Sequence, residues 1–355
     1  MLPLLDAKIR SLNMRKLFTF ILILWSVLVY AGDSSRKGTT GADELLIPVG
    51  ARGIATGGAF LANITGLEAL YYNPAGLSQT QGTEAMFSFT SYLAGININY
   101  FAIGSNLGDF GALALSVKTL NFGDIPVTTT DAPDGTGSTY SPGYLTAGLS
   151  YAKIITDRVC VGVNAKVISE TIADVSAVGF AIDFGVQYRF PGNLSLGVAV
   201  KNIGTNMSFK GGSLQTVTDL AGGQNGGPTA NYNVPTEEFQ IPSYFELSSA
   251  YNFILDDQNN FMLGATFRNN NVTEDEMKVG LEYGFRNMFF VRGGYSSNVQ
   301  SSNTAVSNIN NGFTFGAGIN YGFTEGYHFV LDYSYQQVRE FPNPNHTFSI
   351  KLSMD

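Results

Sequence analysis

Two histidines, one cysteine and scattered carboxylates are the residues of this 355-residue sequence that could carry reactive chemistry. A serine nucleophile or a zinc centre needs histidine beside its partners. His328 and His346 stand in no metal-ligand spacing and beside no candidate nucleophile. His346 opens the last alternating segment and is the one histidine placed near a wall. Cys160 is single, which excludes a disulfide framework and a thiolate metal site, and it falls inside an apolar stretch as a small packing residue. "DAPDGTGS" (Asp131 to Ser138) resembles a calcium loop without its closing glutamate, so it reads as a polar loop. "GAGINYG" (Gly316 to Gly322) has the glycine spacing of a phosphate cradle, but no helix follows, so its glycines relieve crowding instead. The sequence therefore reads as a non-enzymatic protein that needs no cofactor and no metal.

Charge supplies the next constraint. The net charge is −8, the pI is about 4.8, and lysines and arginines occur singly, which excludes nucleic acid as a partner. Nine charged residues instead recur on one face of alternating segments: Lys166, Asp183, Arg189, Lys201, Glu246, Arg268, Glu282, Arg292 and Asp332. A face so charged cannot be the core of a soluble sandwich. It can line the lumen of a barrel.

The elements that would position these charges are strands. Phe180, Ile182, Phe184, Val186 and Tyr188 alternate with Ala181, Asp183, Gly185, Gln187 and Arg189. Leu194, Leu196, Val198 and Val200 share one face, and Phe313, Phe315, Ala317, Ile319 and Tyr321 another; Phe348, Ile350 and Leu352 close the series. Fourteen such segments are expected, at 84–91, 96–105, 109–121, 144–155, 159–170, 177–190, 194–204, 241–254, 260–269, 275–285, 288–297, 311–322, 327–340 and 345–354. Most are long enough for a tilted bilayer crossing, and aromatics gather near their ends. The three longest connections, 122–143, 205–240 and 298–310, are all odd-numbered, whereas the even ones are short turns. The fold expected is all-β: a 14-stranded antiparallel transmembrane β-barrel over 84–355, in contact with outer-membrane lipid, with both termini periplasmic. One departure is the C-terminus, Leu352-Ser353-Met354-Asp355, which lacks the terminal aromatic common in such barrels.

Residues 1–31 read as an export signal: Met14-Arg15-Lys16 is basic, Leu17 to Val29 is apolar, and Val29-Tyr30-Ala31 is a cleavage site. Residues 1–13 fit no such pattern, which suggests a start at Met14.

Residues 32–83 do not alternate. They are small, apolar and glycine-rich, and fit best as a plug inside the barrel mouth, with Gly53, Gly57 and Gly58 letting the backbone pass close to the wall. The plug ends in "ALYYNPAGL". Here Pro74 holds Asn73 out of the helical region, and Gly76 is expected to make a left-handed exit. The elbow Asn73-Pro74-Ala75-Gly76 would join plug to barrel, with Tyr71, Tyr72 and Leu77 against the lumen wall.

"VGARGIATGGAFLA" (Val49 to Ala62) followed by "ALYYNPAGL" resembles the N-terminal signature of the PorV/PorQ family, related to FadL-type outer-membrane transporters. The resemblance implies a 14-stranded barrel with a luminal plug. For the PorV/PorQ branch it implies type IX secretion, with a large secretion translocon and secreted cargo proteins as partners. For the FadL branch it implies passive passage of hydrophobic small molecules. The loop 205–240 is the expected contact for a protein partner, or else a cover for the pore mouth. Cargo, oligomeric state and the openness of the pore are left open by the sequence.

Overall fold

The computed structural model describes residues 38–219, 229–299, 311–324, 326–338 and 341–354. The expected signal segment 1–31 lies outside these residues, as does most of the loop 298–310.

Fourteen long strands form the wall: β1 (Thr83–Ser91), β2 (Asn97–Asn106), β3 (Ala112–Asn121), β4 (Gly143–Thr156), β5 (Val159–Ile172), β6 (Val175–Arg189), β7 (Leu194–Gly204), β8 (Tyr244–Ile254), β9 (Asn259–Asn270), β10 (Glu276–Phe285), β11 (Phe289–Asn298), β12 (Gly312–Thr324), β13 (Tyr327–Gln336) and β14 (Asn345–Met354). Each pairs antiparallel with its sequence neighbours, and β1 pairs with β14 from Thr83↔Met354 to Ser91↔His346. The sheet closes, so no strand edge meets lipid. The alternation works as the pattern demands. Phe180, Phe184, Leu149, Phe315 and Phe348 point outward and exposed, while Asp183, Gln187, Ser150, Thr314 and Thr347 point inward and buried.

Some strand limits differ from expectation. Residues 109–111 form no strand: Gly108–Phe110 is a 3₁₀ turn, and Gly111 is left-handed at φ 113°. β8 starts at Tyr244 rather than 241, because Pro242 has no N–H for the ladder. Its carbonyl accepts from Asn202 Nδ2 at 2.9 Å instead.

The odd-numbered connections meet at one mouth. That mouth carries the loops 122–142 and 205–243, each with a small two-stranded hairpin: Ile125–Pro126 with Thr139–Tyr140, and Gln215–Asp219 with Thr229–Asn233. The even connections are short turns at the other mouth. The first described residues lie at the long-loop mouth, where Thr40 bridges to Gln240, and Met354 lies at the short-turn mouth. The plug runs between the two mouths, from Thr40 to the start of β1 at Thr83.

The plug is built of short pieces: 3₁₀ turns at Asp43–Leu46, Gly66–Glu68 and Pro74–Gln79, and helices α1 (Ala51–Ala55) and α2 (Ala69–Tyr72). α1 ends in a Schellman arrangement, with Gly57 N–H donating to Ile54 O at 2.9 Å and Gly58 N–H to Gly53 O at 2.8 Å. Gly57 and Gly58 are both left-handed, at φ 64° and 72°.

The wall receives this backbone on glycines. Gly264, Gly280 and Gly294 stand directly opposite one another on β9, β10 and β11. Gly162 and Gly185 do the same on β5 and β6, in line with Ala152 and Ala112 on β4 and β3. A Cβ on Gly294 would come within 2.4 Å of Gly57 N, one on Gly280 within 2.4 Å of Thr56 O, and one on Gly162 within 2.4 Å of Pro74 O. One on Gly316 of β12 would meet Ala55 Cβ at 2.4 Å, so that glycine does relieve crowding.

Gly280→Ala and Gly294→Ala are therefore expected to unseat the plug, each costing about 1–3 kcal/mol or more, since the obstructed atoms are backbone. Gly143→Ala, which meets nothing within 4 Å, is the control. Limited proteolysis of residues 51–79 and single-channel conductance read the outcome: cleavage and ion flow should rise only in the first two variants.

Candidate functional site

The candidate site is the junction of plug and wall, where the charges and the Asn-Pro-Ala-Gly elbow meet. Asn73 is fully buried with extended backbone, φ −149° and ψ 104°. Its side-chain oxygen accepts from Ala75 N–H at 3.2 Å, capping the turn that Pro74 opens. Its amide donates to Val186 O of β6 at 3.0 Å and to Leu61 O at 3.3 Å. One residue thus ties two plug segments to the wall. Ala75 is buried beside it. Gly76 does not take the left-handed exit expected of it. It lies inside the 3₁₀ turn, and its glycine is required because a Cβ would come within 2.1 Å of Ile64 O. Gly53 and Tyr72 also differ from expectation. They pack on each other inside the plug, where a Cβ on Gly53 would lie 2.3 Å from the Tyr72 ring. Leu77 is buried in one apolar cluster with Met86, Tyr100, Ala102, Ala112 and Ala152 of the wall.

The wall charges form three buried clusters. In the first, Asp183 of β6 accepts from Lys166 of β5 at 2.7 Å, with Lys201 of β7 at 3.6 Å. A β-bulge opposite Asp183 makes this possible: Asn202 is left-handed at φ 58°, turns inward next to Lys201, and donates its N–H to Asp183 Oδ1 at 2.8 Å. Lys201 also donates to the Tyr71 carbonyl of the plug. In the second, Glu246 of β8 accepts from Arg268 at 2.8 Å and Lys278 at 3.0 Å, and Glu276 lies 3.7 Å and 3.6 Å from the same two cations. The Arg268 guanidinium stacks 4.2 Å from the Tyr244 ring centre.

The third cluster joins plug to wall. Arg52 of α1 makes two bonds to Glu282 of β10, at 2.9 Å and 3.0 Å. Arg292 of β11 bonds both Glu282 and Asp332 of β13 at 2.5 Å. Next to it Glu68 accepts from Gly53 N–H at 2.8 Å. Arg189 stands apart, half-exposed at the short-turn end of β6.

Lys118, Glu276 and Lys278 escaped the sequence reading although their phase on β3 and β10 marks them as inward. Arg52 and Glu68 carry no strand phase, and only the fold pairs them. At the long-loop mouth Lys118 donates to the carbonyls of Glu44 and Ile47, both at 2.6 Å. Burial, and then the neighbouring Glu170, push the Glu44 carboxyl up to about 8.

Among the described residues, cavities of about 40, 40 and 160 Å³ lie between plug and wall. Lysine or arginine lines each of them. The largest of these, near the short-turn mouth, is bounded by Arg52, Glu68, Arg292, Asp332 and Lys351.

Removing one member of a buried ion pair strands the other, at about 3–5 kcal/mol. Glu282→Gln should therefore destabilise the folded barrel by that order, and Arg52→Leu by less, because Arg52 is the more exposed partner. Urea unfolding, followed by heat-modifiable gel mobility, measures both. Equal effects would contradict the assignment of Glu282 as the shared acceptor.

A family model described as "Type IX secretion system protein PorV" matches residues 31–274. Among solved structures, the fold is similar to the CymD monoaromatic hydrocarbon channel, with a TM-score of 0.55, 13% identity, and 87% of this chain and 98% of that one covered. It is similar to the P. putida toluene transporter TodX with the same figures, and to the Ralstonia pickettii toluene transporter TbuX with a TM-score of 0.52, 13% identity, and 86% and 98% coverage. At such identity the likeness speaks for the fold alone. No curated protein matches.

Proposed function

The chain belongs to the PorV family of outer-membrane β-barrels, and from that premise we propose that it serves type IX secretion, docking exported proteins or a large translocon at its long-loop mouth. The family match over residues 31–274 is the observation that carries this reading. The long-loop mouth would face the cell exterior and the short turns the periplasm. No catalysis is assigned to the chain.

Two features support a role as a sealed docking barrel. The lumen is filled by a plug whose flanking cavities are small and charged, which suits neither an open pore nor a store for apolar solutes. The loop 205–243 exposes Val217, Tyr232 and Val234 beside a groove of about 580 Å³ that includes Phe209 and Pro235. Exposed apolar side chains on a water-facing loop fit a protein contact.

The second reading, passive passage of hydrophobic small molecules, draws on the titles of the structural neighbours, which name hydrocarbon and toluene channels. It requires a continuous apolar pocket behind the plug and a lateral gap in the wall.

The test is mild-detergent capture of the tagged barrel from its own outer membrane, with mass spectrometry of what accompanies it. A very large outer-membrane protein together with secreted proteins is expected, and Val234→Asp should reduce both at unchanged barrel level. Capture of the barrel alone, with only bound lipid or hydrocarbon, would overturn the secretion reading in favour of the second.

A further inference from the structure

One of the two smaller cavities, of about 40 Å³, lies between plug residues Leu45, Leu70 and Tyr71 and the strands β2 to β7. Such a space holds two or three water-sized particles. Its lining carries three lysine amines, of Lys118, Lys166 and Lys201, against one carboxylate, on Asp183. The three lysines are 6%, 9% and 2% exposed, so water does not screen them.

Hydrogen-bond accounting points the same way. Each ammonium has three donors. Lys118 spends two on the carbonyls of Glu44 and Ile47. Lys166 spends two on Asp183 and Asn202. Lys201 donates to the Tyr71 carbonyl, with Asp183 farther off at 3.6 Å. Each therefore keeps an N–H to give. The hydroxyls of Tyr100 and Thr146, which line the same space, are buried with no protein partner. A cavity with surplus donors, surplus positive charge and one free amide oxygen, that of Asn164, wants an acceptor that is negative.

We infer that this cavity is a binding site for a small monovalent anion of chloride size, held by Lys118, Lys166 and Lys201 with hydroxyl donation from Tyr100 and Thr146. Its place gives it a structural task. The Tyr71 ring lies 5.5 Å from the Lys118 ammonium and 4.9 Å from that of Lys201, so the ion sits where the plug meets β3, β5 and β7. A bound ion would fasten the plug there, and it would stabilise the folded barrel by mass action.

Crystals grown in sodium bromide and measured at the bromine absorption edge test this directly. An anomalous peak in contact with the three Nζ atoms is expected. Its absence from this cavity would overturn the proposal. In solution, the melting temperature should be several degrees higher in chloride than in gluconate at equal ionic strength, and Lys166→Met should remove that difference. Equal melting temperatures for the unaltered protein in the two salts would show that the lysines balance themselves without an ion, and would also overturn it.

Discussion

A closed wall of fourteen strands encloses more space than its own inward side chains can fill. Everything else follows from how that space is taken up. The plug enters with its backbone, not only its side chains, against the wall, and the wall yields by giving up Cβ atoms at Gly162, Gly264, Gly280, Gly294 and Gly316. The pairing of β5 with β6, and of β9 with β10 and β11, sets these positions in rows. The plug therefore has a track that fixes its height in the barrel.

A backbone laid in a polar lumen must have its hydrogen bonds met. The wall supplies them. Ser349 Oγ accepts from Ala51 N–H at 2.8 Å, Thr314 donates to Ala55 O at 3.0 Å, Thr266 donates to Ala59 O at 3.0 Å, and Gln187 donates to Leu61 O at 3.1 Å. The charged clusters occupy the levels where wall and plug do not touch backbone to backbone. There they are buried in shared networks of ion pairs, and losing one member would cost more than an apolar filling. The plug contributes a cation, Arg52, and a carbonyl, that of Tyr71, to these networks, so the electrostatics of the wall are complete only with the plug in place.

The strands and their faces were legible in the sequence because period-two alternation survives wherever one face meets lipid and the other a polar lumen. Phe180, Ile182, Phe184 and Val186 against Ala181, Asp183, Gly185 and Gln187 show this without a structure. The elbow was legible only in part. Asn73 and Pro74 act as their local chemistry demands, but Gly76 is a glycine for want of space rather than for a left-handed turn. Local rules cannot see Ile64 O. Gly53 likewise meets Tyr72, not the wall. Wall glycines were visible as residues, yet their role needs the register of five strands and the path of the plug. The bulge at Asn202, which lets two lysines share Asp183, left no mark on the alternation that could be read beforehand.

On the function proposed, the barrel offers a surface at one mouth rather than a passage through both. That account depends on the plug being part of the folded wall. Hydrogen–deuterium exchange of the detergent-solubilised protein tests it most directly. The account predicts that amides of residues 51–79 exchange as slowly as those of β5 and β10. Exchange of that segment at the rate of the exposed loop 125–140 would contradict it.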